Sequence, residues 1–313
     1  MWSSLAALLL VSGVCLADEH LASGHRGALP PPPSHRSRRM VGGSLAYNVP
    51  WQVLLYFGDN VLDGGIGGGA LISDRWILTT GRNLFVNKSR QAIQKHQASI
   101  PKVYLGITKR SPLDPSKEVA VEKVVLHPGF QNTSEWDNNL ALIKLKDAVV
   151  FSKSVMPIPL PERGQDLEEQ GGTRGIVTGW GWGSVFTFSN FLKYLVLPVV
   201  DRNICRAEYR HGGQVLKDTP KVEDHMFCTG VSPLAENVCF GDEGGVLAVL
   251  DPKDDQVYAA GILSFDKSCA VEKYAVYLKL SAYLPWIHSV MREDSEEFSA
   301  LRRAAVIDML SKQ

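Results

Sequence analysis

From residue 52 to residue 280 the chain is written mostly in short runs of β-forming residues. They fall at Gln52–Tyr56, 70–72, Lys102–Leu105, 119–126, 140–145, 175–178, 194–199, Val246–Leu250, 257–263 and 275–280, some alternating and some continuously apolar. Strands this short and this numerous suggest antiparallel sheets closed into barrels. With 313 residues, 45% of them hydrophobic, the chain can bury one large core or two packed barrels. Residues 284–291 are expected to form a closing helix. In the tail, residues 293–313, Phe298, Leu301, Ala305 and Leu310 give only a broken helical stripe, and disorder is the expectation. No internal repeats are apparent.

The apolar run at residues 5–17 is too short to span a bilayer and ends in small residues, as a secretory signal peptide does. Residues 18–39 hold four consecutive prolines, Pro30 to Pro33, no cysteine and too few apolar residues for a core, so they read as an extended leader. Arg36, Ser37, Arg38 and Arg39 look like a proprotein-convertase site, with cleavage expected between Arg39 and Met40. Removing Cys15 with the signal leaves Cys205, Cys228, Cys239 and Cys269, an even set suited to an oxidising compartment, for which the sequence allows three pairings. Asn87 and Asn132 open glycosylation acceptor triplets. Lys plus Arg and Asp plus Glu each number 33, giving no basic stripe and no electrostatic case for nucleic acid. The histidines are scattered, and neither a metal site nor a cofactor site is expected.

Five ordered motifs resemble chymotrypsin-like serine proteases. Met40, Val41, Gly42 and Gly43 look like the N-terminus made by zymogen cleavage. Trp76 through Asn83 overlays the segment that normally ends in the catalytic histidine and a cysteine. Asn138 through Leu145 matches the strand carrying the triad aspartate, Thr178, Gly179, Trp180 and Gly181 follow, and Gly241 through Gly245 resembles the nucleophile loop. The resemblance covers residues 40–292 and implies an all-β, chymotrypsin-like double antiparallel β-barrel with a C-terminal helix. At the triad positions stand Arg82, Asn139 and Glu243. Arginine has no lone pair with which to accept a hydroxyl proton, asparagine carries no charge, and no hydroxyl replaces the nucleophile, so the resemblance implies a non-enzyme. Arg82 and Glu243 are expected to face each other as an ion pair. The competing expectation is that both swing into solvent, and a separation beyond about 6 Å removes the pair.

Between the motifs the text resembles haptoglobins, in the runs Glu122 to Pro128, Lys193 with Tyr194, and Gly261 to Val271. That family implies disulfides Cys205 with Cys228 and Cys239 with Cys269. It also implies a secreted plasma protein that binds haemoglobin αβ dimers and limits oxidative damage and iron loss, an acute-phase antioxidant glycoprotein. Asn139 departs from the family, which commonly keeps the aspartate. Pro159 stands where haptoglobins place the cysteine to the light chain, so no disulfide-linked light chain is expected. Gly67 with Asn83, and Gly175 with Val249, replace two familiar bridges. The Met40 amine freed by cleavage is expected to pair with Asp242. Phe186, Phe188, Phe265, Asp266 and Lys267 are the candidate partner contacts, with the alternative that Phe188 and Phe191 pack into their own barrel. Asn237, at the floor of the specificity pocket, offers no charge for a basic side chain. Two other classes of function are kept open: a pseudoprotease acting as an antimicrobial or signalling ligand, for which a basic face is missing, and an enzyme with residual proteolysis, which the failed triad disfavours.

Overall fold

The computed structural model describes residues 43–58, 65–84, 100–131, 136–162, 165, 167, 172–183, 187–211, 214–215, 219–230, 232–234, 236–265, 269 and 273–310. The first barrel is built from β2 (Gln52–Tyr56), β3 (Ile66–Leu71), β4 (Trp76–Thr79), β5 (Lys102–Leu105), β6 (Glu118–Val119), β7 (Val121–Leu126) and β8 (Ala141–Leu145), in the antiparallel order β6-β5-β2-β3-β4-β8-β7. Its two edge strands, β6 and β7, are separated in the chain by Ala120 alone. The sheet therefore curls until its edges meet.

The second barrel contains β9 (Arg174–Gly179), β10 (Lys193–Val200), β13 (Met226–Thr229), β14 (Val246–Leu250), β15 (Val257–Phe265) and β16 (Ala275–Lys279). Strand β9 pairs with both β10 and β14, which closes the ring. Strand β1 (Ser44–Leu45) adds to β10 from outside, and β11 (Arg210–His211) with β12 (Gln214–Val215) forms a separate small ribbon. Helix α1 (Arg202–Glu208) precedes that ribbon, and α2 (Leu280–Leu310) closes the fold.

The two-residue period of a strand distributes the apolar side chains between three cores. In β2, Val53 and Leu55 point into the first barrel while Leu54 points to the seam between barrels; Ile77 and Leu78 of β4 divide the same way. In β15, Tyr258 and Ala260 fill the second barrel and Ala259 faces the seam. Both faces are buried, which is why these strands read as continuous apolar runs, and each fully buried Leu or Phe contributes about 1.5–3 kcal/mol. Trp180, 1% exposed, fills the seam and reaches across it, its indole N–H donating to the Thr108 carbonyl at 3.4 Å.

Several elements differ from the sequence reading. Strand β3 starts at Ile66 rather than residue 70, because Gly67, Gly68 and Gly69 are poor strand formers that barrel closure nevertheless recruits. Helix α1 was not foreseen; Asp201 caps it by accepting from the Asn203 and Ile204 amides, and Cys205 pins it to β13. Helix α2 begins at Leu280 and runs to Leu310, so the segment after residue 292 is helical where disorder was expected. A helix already nucleated and docked extends at little cost, which propensity in an isolated tail does not anticipate. Docking is electrostatic as well as apolar: Asp294 lies 2.9 Å from both Lys123 and Lys144 of the first barrel. Among the described residues no helix is long and apolar enough to cross a membrane.

Candidate functional site

The cleft between the barrels assembles Arg82, Asn139 and Glu243 from three separate elements. Arg82 opens a 3-10 turn directly after β4, Asn139 sits two residues before β8, and Glu243 rides the tight turn that leads into β14. Gly241 and Gly244 flank that turn at φ 95° and 88°, a region an L side chain rarely adopts. The turn is stitched to both barrels: the Gly68 amide donates to the Glu243 carbonyl at 2.8 Å, and the Gly244 amide to the Leu263 carbonyl at 2.9 Å.

Arg82, Asn139 and Glu243 belong to one network. The Arg82 backbone amide donates to Asn139 Oδ1 at 2.8 Å, and Asn139 Nδ2 donates to Glu243 Oε1 at 3.1 Å. Thr80 Oγ1 donates to the same carboxylate oxygen at 3.1 Å. Arg82 Nε lies 3.9 Å from Glu243 Oε1, an ion pair, with the two side chains 10% and 13% exposed. The Arg82 guanidinium carbon sits 4.1 Å above the centre of the Trp136 ring. The carboxylate is thus held by one cation and two dipoles in a nearly dry cleft, and the arginine is packed rather than solvated. Such compensation is what allows opposite charges to stay buried. Asn139 is fully buried; its Nδ2 also donates to Ser264 Oγ at 3.0 Å and the Ser264 carbonyl at 3.3 Å.

Between Gly67 and Asn83, where the resemblance implied a bridge replaced, stands a polar clasp. A Cβ on Gly67 would fall 2.7 Å from the Asn83 side chain, so the amide occupies the volume a bridge would need. Asn83 Nδ2 donates to the Glu243 carbonyl at 2.8 Å and to Thr79 Oγ1 at 3.3 Å, tying the turn to the first barrel. The space above Gly175 is filled by Leu247, 2.5 Å from where a Cβ would lie. The two remaining pairs, Cys205–Cys228 and Cys239–Cys269, are bonded as the family pattern implies.

Asp242 is wholly buried. Its Oδ1 accepts from the Gly181 amide at 2.8 Å and its Oδ2 from the Cys239 amide at 3.0 Å. Burial pushes its pKa up to about 6, against the pull of those two amides. Met40 and Arg39 lie outside the described residues; the first described residue, Gly43, donates its amide to Glu236 Oε1 at 2.7 Å. Asn237 is 1% exposed and its Nδ2 donates to the Lys273 carbonyl at 2.6 Å, which fastens it to backbone.

The partner-contact candidates divide. Phe265 is 5% exposed, edge-on to Trp136 at 4.8 Å and to Tyr209 at 5.7 Å, and this corrects its placement on the contact surface: strand β15 turns that ring into the seam. Phe188 is half-buried against Trp182, with the Arg110 guanidinium 5.8 Å from its centre, and Phe191 is 50% exposed. Phe186, Asp266, Lys267, Asn87 and Asn132 lie outside the described residues. Thr80, Trp136 and Ser264 complete the network but were not singled out from sequence. Thr80 carried a signal, two residues before Arg82; the other two are joined only by folding. Among the described residues no three His, Cys, Asp or Glu side chains converge as a metal site would require.

The family model described as Trypsin matches residues 40–287. This chain belongs to that family of double-barrel serine-protease folds. Within it the chain is haptoglobin-like: it is 40% identical over 272 residues to the haptoglobin of Oryctolagus cuniculus, covering 84% of this chain and 73% of that protein. It is 38% identical over 275 residues to the haptoglobins of Homo sapiens and Mesocricetus auratus, covering 85% of this chain and 63% and 74% of theirs.

Proposed function

We propose that this haptoglobin-like protein is a secreted, non-catalytic carrier that binds free haemoglobin αβ dimers and so limits haem-driven oxidation and iron loss. The observation that carries the non-catalytic half is the joining of Arg82, Asn139 and Glu243 in one network. A guanidinium takes no proton from a nucleophile, and the carboxylate lies where the attacking hydroxyl belongs. The haemoglobin half rests on the 38–40% identity to haptoglobins.

The same reading has the signal peptide removed, Asn87 and Asn132 glycosylated, and the chain cut after Arg39 by a proprotein convertase, the Met40 amine then pairing with Asp242. Pro159 in the family's tether position leaves it without a disulfide-linked light chain. Isothermal calorimetry with purified haemoglobin tests the reading: heat of binding with a Kd below micromolar is expected, and none at micromolar concentrations overturns it. N-terminal sequencing of secreted material is expected to give Met40; Asp18 would refute the processing step.

A further inference from the structure

Two histidines from opposite barrels meet on one residue of the terminal helix. His127 follows β7 in the first barrel and His225 precedes β13 in the second. Both rings stand edge-on to Tyr283 in the first turn of α2, with centroids 5.4 and 5.9 Å away and interplanar angles of 85° and 81°. Trp286 closes on His127 from the same helix at 4.8 Å. Tyr283 is 5% exposed, and its hydroxyl donates to Asn138 Oδ1 at 3.1 Å. The first turn of α2 is thus seated across the seam on two imidazoles and an amide.

The hydrogen bonding favours the uncharged His127 ring. His127 Nδ1 accepts from the Gly129 amide at 3.1 Å, which places the neutral ring's own proton on Nε2. A proton added to Nδ1 would turn that acceptor into a donor facing an N–H. His225 Nε2 is buried and has no hydrogen-bond partner among the described residues. Charged groups face the cluster from each element packed on it. Asp137, before β8, draws a proton toward His127, and His225 opposes it. Glu223, 3.9 Å from His225 Nδ1, is itself paired with Lys221 at 2.8 Å. On the outer side Asp224 is paired with Arg206 at 2.7 Å.

We propose that His127, His225, Tyr283 and Trp286 form an acid-sensitive latch, which holds the first turns of α2 across the seam when His127 is neutral and releases them when His127 takes a proton. Burial, the largest influence, holds the His127 pKa below its ordinary value despite Asp137, so the folded state prefers the neutral ring. An unfolded or undocked segment takes up its proton near pH 6.5, and docking is therefore full above that value and weakens as the pH falls below it. The next part of the helix does not share this dependence, because Asp294 stays ionised against Lys123 and Lys144 through the same range. Release is confined to the helix start.

Amide hydrogen exchange of the intact protein at pH 7.4 and pH 5.5, corrected for intrinsic rates, tests this without reference to haemoglobin. Exchange across 283–291 is expected to speed up at the lower pH, by at most about tenfold, because pH 5.5 lies one unit below the titration of a free imidazole near 6.5. His127→Phe keeps a ring but cannot titrate, and is expected to exchange at one rate at both pH values. If that variant does not fold, His127→Gln serves. Nuclear magnetic resonance of the imidazoles should show His127 titrating below 6.5. Titration above 6.5, exchange in the parent protein that ignores pH, or acid acceleration retained in the variant would each overturn the proposal.

Discussion

Arg82 and Glu243, separated by 161 positions in the chain, face each other across the cleft at 3.9 Å, and neither is more than 13% exposed. The ion pair expected from sequence is formed. Glu243→Ala strands the guanidinium between Trp136 and an empty space. A loss of about 3 kcal/mol is expected, at the low end for breaking a buried pair because both side chains keep some solvent contact. The denaturant midpoint of the variant measures it.

Reverting one position restores nothing. Glu243→Ser places a hydroxyl in the cleft, but Arg82 cannot accept its proton, so hydrolysis of a fluorogenic peptide is expected to stay at the buffer rate. Hydrolysis gained by Arg82→His, Asn139→Asp and Glu243→Ser together is expected to drop about 10⁴-fold when Asn139 is left in place, since the amide holds the imidazole in the wrong tautomer. Steady-state kinetics of the two variants decides this.

Gly67 and Asn83 lie close enough to be bridged, the Cβ position of one meeting the side chain of the other at 2.7 Å. Gly67→Cys with Asn83→Cys is expected to form a third disulfide and add about 3 kcal/mol for a loop of this size. Mass spectrometry with and without reductant, and the shift in Tm, report it. Asn83→Ala alone should loosen the turn at Glu243, visible as faster exchange of the Gly244 and Gly245 amides.

Asp294 anchors α2 to two lysines. Burial raises its pKa, but hydrogen bonds from Lys144 and Lys123 outweigh that and hold it below the ordinary carboxylate value. Its contribution is therefore present above about pH 4 and lost as the pH falls through its lowered folded value. Asp294→Asn is expected to cost about 2 kcal/mol at pH 7. The gap to the parent should close in strong acid, as thermal melts at a series of pH values would show.

The sequence by itself determined the strands whose both faces are apolar, such as β5 and β14, because β-branched and aromatic runs leave little choice of period. It also determined that an arginine, an amide and a carboxylate, rather than an imidazole or a hydroxyl, stand at positions 82, 139 and 243, since that is fixed by residue type alone. Tertiary structure decided what no local pattern encodes. Gly67, Gly68 and Gly69 became a strand because the barrel had to close around them. Phe265 turned from surface to seam where the register of β15 shifts between Leu263 and Phe265. Trp136, Thr80 and Ser264 joined the triad positions, and His127 came to share Tyr283 with His225, because packing energy is gained between elements far apart in the chain and leaves no periodic trace along it.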